Sequence, residues 1–153
     1  MKKLVLFGLI LLLASTSLAA YWGDDITIQK GMTIRRIMKN NAGAAVVAGD
    51  VIILDTSDTT GVSITTTTTE ADPKIFGVVS TGGADQANIN IIISGPTGDI
   101  AKVSGAIAVD DPLTTSNEAG WLCKGSYGVG SIIGIALNTN ASGYGTIEAW
   151  VGN

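Results

Sequence analysis

The stretch Val47-Ala-Gly-Asp-Val-Ile-Ile-Leu-Asp55 is the strongest strand signal in the chain. Its glycine and aspartate favour a tight turn, and the four apolar residues after them are typical of a buried strand. A second stretch of the same kind, Ala108-Val-Asp-Asp-Pro-Leu-Thr-Thr-Ser116, occurs later in the sequence. Each stretch therefore predicts a turn that leads directly into a strand.

Each of these stretches is followed by an apolar segment with a central glycine. Gly77 follows Asp50 by 27 positions, and Gly134 follows Asp111 by 23. After each glycine come a turn and one further apolar segment. The pattern predicts an internal duplication of a strand–loop–strand–turn–strand unit, in which neither half can bury its apolar face alone. Chance similarity between short β-strands is the alternative interpretation.

Composition favours an all-β fold. The 153 residues are 46% hydrophobic and only 14% charged, with 20 glycines. Threonine, valine and isoleucine are abundant, and these residues favour extended backbone over helix. About ten short strands separated by turn signals predict a single-domain β-barrel or β-sandwich over residues 40–153. The segment Thr33–Lys39 fits either a strand or a short helical turn.

The first twenty residues have the pattern of a secretory signal peptide. Lys2 and Lys3 precede the apolar run Leu4–Leu13, and small residues follow up to Ala20. The run is shorter than the roughly 20 apolar residues that span a bilayer. We therefore predict a signal peptide at residues 1–19 and an N-terminal arm at residues 20–39. The alternative is a retained apolar N-terminal helix, which would be the chain's only membrane contact.

Positive charge is concentrated in the predicted arm. The formal net charge is −4, and the residues from Asn40 onward include three lysines and eleven acidic residues. An acidic body argues against nucleic-acid binding. A basic arm on an acidic body suits contact between copies, in which one subunit's arm lies on the next subunit. The alternative is an arm strand whose charges are simply solvated. The candidate assembly contacts are the basic and large aromatic residues of the arm: Tyr21, Trp22, Lys30, Arg35, Arg36 and Lys39.

The residues available for catalysis are few. The chain has no histidine and one cysteine, which removes Ser–His pairs, Cys–His pairs and His-based zinc sites. Asp55-Thr-Ser-Asp58 has oxygen ligands but lacks the glycine and closing glutamate of a calcium loop. Cys123 is expected to be a buried apolar residue, with an intermolecular disulfide as the alternative. We therefore predict a non-enzymatic protein with no cofactor and no metal.

Six motifs occur in order along the chain: Val47–Asp55, Ile75–Val79, Ser94–Pro96, Gly105–Ser116, Gly120–Trp121 and Ile133–Leu137. Taken together, they resemble the DUF2190-type capsid decoration (cement) proteins of tailed phages. The resemblance covers roughly Ala42 to Val151 and consists of glycine turns and apolar strands. It implies a small all-β protein on the outside of an icosahedral head, commonly a trimer, that straps neighbouring capsomers together.

The signal-like N-terminus departs from that family, because a phage decoration protein needs no export. The first expectation is a structural protein that associates with itself, as a trimer or polymer, on a capsid or surface-layer lattice. The export signal favours a secreted or cell-surface location, with the virion as the alternative. Two other functions remain open: a secreted subunit of a cell-surface filament, sheath or layer, and a carbohydrate-binding module that stacks sugars on Trp121, Tyr127 and Tyr144.

Overall fold

The computed structural model describes residues 32–127 and 131–152, and within these ranges the chain is all-β, as predicted. The predicted signal peptide and most of the predicted arm, including Tyr21, Trp22 and Lys30, lie outside the described residues. In the described ranges no helix is long and apolar enough to cross a membrane. Eleven strands form one continuous sheet that is divided into two modules.

The first module contains five strands whose pairings form a closed ring. Pairing runs from β1 to β3, β2, β4 and β5, and β5 returns to pair antiparallel with β1. The only parallel pair in this ring is β1–β3. The strands are β1 (Ile34–Asn40), β2 (Val51–Leu54), β3 (Ser63–Thr65), β4 (Ile75–Thr81) and β5 (Asn88–Pro96).

The second module repeats the same order of pairings. Pairing runs from β6 to β8, β7, β9 and β11, while β10 pairs with β6. Only Glu148 separates β10 from β11, so together they take the place of β5 and complete the ring. The strands are β6 (Ala101–Ser104), β7 (Pro112–Thr115), β8 (Leu122–Lys124), β9 (Gly134–Ala136), β10 (Tyr144–Ile147) and β11 (Ala149–Val151).

The strand registers show that the two modules are duplicates. The cross-strand pairs Val51–Val78 and Ile52–Gly77 of the first module correspond to Pro112–Ile135 and Leu113–Gly134 of the second. The isolated bridge Val46–Gly83 has its counterpart in Ile107–Asn140. Glycine therefore occupies the same register position in β4 and in β9, which is the periodicity that the sequence displays.

The buried side chains match in the same way. Seven buried residues of the first module form one hydrophobic cluster, and each has a buried counterpart in the second module. The second set is smaller in volume at several positions, since alanine replaces methionine, valine and isoleucine there. The pairs are Met38/Ala101, Val46/Ile107, Ile52/Leu113, Ile64/Leu122, Val79/Ala136, Ile89/Ile147 and Ile91/Ala149.

The modules share buried surface. Val51, Val78 and Ile92 lie on the first module but belong to the hydrophobic cluster of the second. Their strands alternate, because the neighbouring residues Ile52, Val79 and Ile91 point into the first module's own cluster. One face of the first module is therefore covered by the second module. Strand β5 also joins them directly, since Gly95 and Pro96 pair with β11.

The second half of the predicted arm belongs to the sheet. Thr33–Lys39 was compatible with a strand or a helical turn, and the structure has strand β1 there. Met38 is in the first module's cluster, and the buried Asn40 amide donates to the carbonyls of Ala44, Gly83 and Ala84. Residues 34–40 are consequently part of the folded module and not a separate extension.

Candidate functional site

Three of the six candidate assembly contacts, Arg35, Arg36 and Lys39, lie on β1. Arg35 and Arg36 are exposed and Lys39 is partly buried. The guanidinium carbon of Arg36 lies 6.0 Å from the ring centroid of Phe76, a cation–π distance. Within residues 32–127 and 131–152 the ion pairs involve only Lys102 and Lys124. Arg35, Arg36 and Lys39 thus form no ion pair with the described residues.

Most of one edge of β1, up to Met38, pairs with no strand in the described part of the chain. The strand pairs with β5 along its whole length, but with β3 only at Lys39 and Asn40. The side chains of Ile34 and Ile37 are exposed on this half of the strand. A strand edge with free backbone groups and exposed apolar side chains is a surface to which another chain can add.

Matching turns lead into β2 of the first module and into β7 of the second. The Asp50 carboxylate accepts the Val47 N–H at 2.8 Å, and the Asp111 carboxylate accepts the Ala108 N–H at the same distance. The preceding residues, Gly49 and Asp110, both have positive φ angles, of 89° and 65°. Each aspartate therefore closes the same tight turn by the same hydrogen bond.

Each turn aspartate also pairs with a lysine, which sequence reasoning did not identify. Lys102 Nζ lies 2.6 Å from Asp50 Oδ1, and Lys124 Nζ lies 2.7 Å from Asp111 Oδ1. The first pair joins β6 to the turn before β2 and so links the two modules. The second lies within one module, and its lysine is far more exposed. A hint was present in the sequence, since these are two of only three lysines in an acidic body.

The aromatic residues proposed as a sugar-stacking surface meet only in part. The rings of Trp121 and Tyr144 are 4.8 Å apart between centroids and inclined by 62°, an edge-to-face pair. Lys102 Nζ lies 5.4 Å from the Trp121 centroid. The Tyr144 hydroxyl donates to Glu118, and this hydrogen bond raises the pKa of Tyr144. Tyr127 is exposed and makes no ring contact with the other two among the described residues.

The carboxylates of the Asp55–Asp58 loop are engaged in local turns. Asp55 accepts hydrogen bonds from the backbone and hydroxyl of Ser57, and Asp58 accepts the same pair from Thr60. Hydroxyl hydrogen bonds from Ser63 and then Thr60 lower the pKa of Asp58 to about 2. No group of three or more His, Cys, Asp or Glu side chains suited to a metal occurs in the described ranges.

Cys123 is partly buried, less so than expected, and its chemistry opposes disulfide formation. Burial, with a smaller effect from Glu70, raises the pKa of the thiol from 9.0 to about 11. The thiolate is the reactive form, but its nucleophilicity rises with its pKa, so the loss of thiolate is partly offset. We expect Cys123 to react about tenfold more slowly with a disulfide reagent near neutral pH than it does in the unfolded chain. Kinetics with Ellman's reagent in buffer and in denaturant measure this, and equal rates would contradict it.

Comparisons with known proteins add one finding about the fold. No family model matches the sequence, and no curated protein matches it. The fold is similar to a solved structure described as the head fiber gp8.5 N base in bacteriophage phi29. The TM-score is 0.54 at 15% sequence identity, over 79% of this chain and 95% of that one. The similarity covers nearly all of the phage structure, so it extends across both modules.

Proposed function

We propose that this chain is a non-enzymatic structural subunit of a bacteriophage head, of the fibre-base or decoration kind, and that copies of it associate with one another. The observation that carries the proposal is the similarity of fold to the phi29 head fiber base over 95% of that chain. The motifs that resemble phage decoration proteins support the same class. The DUF2190 assignment stays a proposal.

The geometry of the described residues supports a role in adhesion. The carboxylates of the turns and of the Asp55–Asp58 loop are occupied by hydrogen bonds or lysines, which leaves them in structural roles. The open edge of β1 instead offers backbone groups, apolar side chains and positive charge to a neighbour. Such a surface suits contact with the acidic surface of another copy or of a shell.

The test is to locate the protein. We expect mass spectrometry of gradient-purified phage particles to detect it, and light scattering of the purified protein to give a mass above that of one chain. Recovery as fibres in culture medium, with an N-terminus near Ala20, would favour the cell-surface polymer instead. A monomer that binds a glycan would favour the carbohydrate-binding module. The N-terminal peptide also tests the predicted signal, because a virion protein would retain Met1 or its neighbour.

A further inference from the structure

The duplication leaves one face of the second module without the cover that its counterpart has. Val51, Val78 and Ile92 of the first module are packed under the second module. Their counterparts by register are Pro112, Ile135 and Trp150. Ile92 is 1% exposed whereas Trp150 is 38% exposed, and Ile135 is partly exposed. We call Pro112, Ile135 and Trp150 the Trp150 face; Pro112 is buried, so Ile135 and Trp150 are its exposed part.

The opposite side of the contact between modules also has an uncovered counterpart. Within the chain, the Lys102 N–H donates to the Gly49 carbonyl and the Val51 N–H donates to the Gly120 carbonyl. Ile100 packs against the hydrophobic cluster that the two modules share. By register, Ile100, Lys102 and Gly120 correspond to three residues of the first module, Ile37, Lys39 and Val62.

These three residues form a second exposed surface, which we call the Ile37 face. Ile37 is 65% exposed and Val62 is 47% exposed, high values for large apolar side chains. The chain thus presents, in large part exposed, the equivalents of both halves of a contact that it already makes once between its own modules.

We propose that the Trp150 face of one copy binds the Ile37 face of the next, so that copies join head to tail through the equivalents of the surfaces that meet between the modules. The inference rests on the self-association proposed above and names its surfaces. Charge supports the match, because Asp110, the counterpart of Gly49, gives the Trp150 face an acidic neighbour and Lys39 gives the Ile37 face a basic residue. The fit must differ here from the one within the chain, because a Cβ at Gly49 would lie on the Ile100 carbonyl oxygen. A contact between two different faces continues to a closed ring or an open polymer.

The contact between copies is weaker than the one within the chain. Pro112 replaces Val51 and has no N–H to donate, while the Lys39 N–H already donates to Val62 of its own module. The two backbone hydrogen bonds that join the modules therefore have no equivalent between copies. Side-chain packing and charge alone hold this contact, which makes it reversible and sensitive to dilution.

Single substitutions on each face test the proposal in the full-length chain. Trp150→Lys and Ile37→Lys each place a charge in one face, and each is expected to weaken association about 30-fold or more. Thr68→Lys, on an exposed loop between β3 and β4, is the control for added charge and should behave as the wild type. Sedimentation velocity measures the species present, and circular dichroism confirms that each variant is folded.

Mixing the two variants separates this arrangement from a symmetric one. Trp150→Lys keeps an intact Ile37 face and Ile37→Lys keeps an intact Trp150 face, so an equimolar mixture should form a dimer and nothing larger. If the wild type associates but both folded variants associate as well as it does, or their mixture stays monomeric, the assigned surfaces are wrong while self-association stands. A wild-type chain that is monomeric at all concentrations would overturn both proposals.

Discussion

The substitution Gly134→Ala is expected to destabilise the protein by at least about 3 kcal/mol, or to prevent folding. The methyl group would lie on the carbonyl oxygen of Trp150 in the neighbouring strand β11. That oxygen is backbone, so it cannot move aside as a flexible side chain would. The strands would have to separate where Ile135 pairs with Trp150 and Gly134 with Val151, beside the shared core.

Two further glycine variants test whether contact with a neighbouring backbone carbonyl causes the loss of stability. Gly77→Ala should be similarly damaging, because its methyl group would meet the Ile92 carbonyl, the register counterpart of Trp150. Gly98→Ala is the control: it has open space, and its φ of 66° should cost only about 1 kcal/mol. Urea unfolding followed by tryptophan fluorescence gives the comparison. Equal losses at Gly134 and Gly98 would contradict the steric explanation.

The second large effect is expected for Asp50→Ala, which should lower the free energy of unfolding by about 3 kcal/mol. The carboxylate of Asp50 is largely buried and serves two partners, the Val47 N–H and the Lys102 ammonium group. Removing it leaves Lys102 without its counter-charge near the Trp121 ring and opens the turn that leads into β2. Because Lys102 is on β6, the loss also weakens the contact between the modules.

The duplicated turn supplies the matched control. Asp111→Ala removes the same turn hydrogen bond and a lysine partner at nearly the same distance, but Lys124 is well exposed and water can replace its carboxylate. We therefore expect a clearly smaller loss of unfolding free energy than for Asp50→Ala. Chemical denaturation of both variants measures the difference. A loss at Asp111 as large as at Asp50 would show that the turn, and not the link between modules, carries the effect.

The sequence contained enough to predict the all-β class and the duplication. Gly77 and Gly134 stand at the same register because a strand carbonyl occupies the place of a side chain at both positions. The Gly-Asp and Asp-Asp turns are alike because an aspartate closes each by bonding three residues back. Both causes act within each repeated unit. They therefore leave a recurring spacing of glycine and aspartate that is visible in a single sequence.

The order of strands and the lysine partners depend on distant contacts, and no local pattern encodes them. Asp50 and Lys102 are far apart in the chain, and only the packing of the modules brings them together. The same applies to β1, which was grouped with an arm because of its charges. Its burial at Met38 and Asn40 follows from pairing with β5, and pattern alone gave a strand and a helical turn equal standing.

Strand β5 has a consequence for how the two halves depend on each other. Its first part completes the ring of one module, and its end pairs with the closing strand of the other. Neither half can open without disturbing a strand that the other half needs, so we expect the two modules to unfold as one cooperative unit. A force applied to one module is therefore transmitted to the other through this shared strand, without a flexible linker between them.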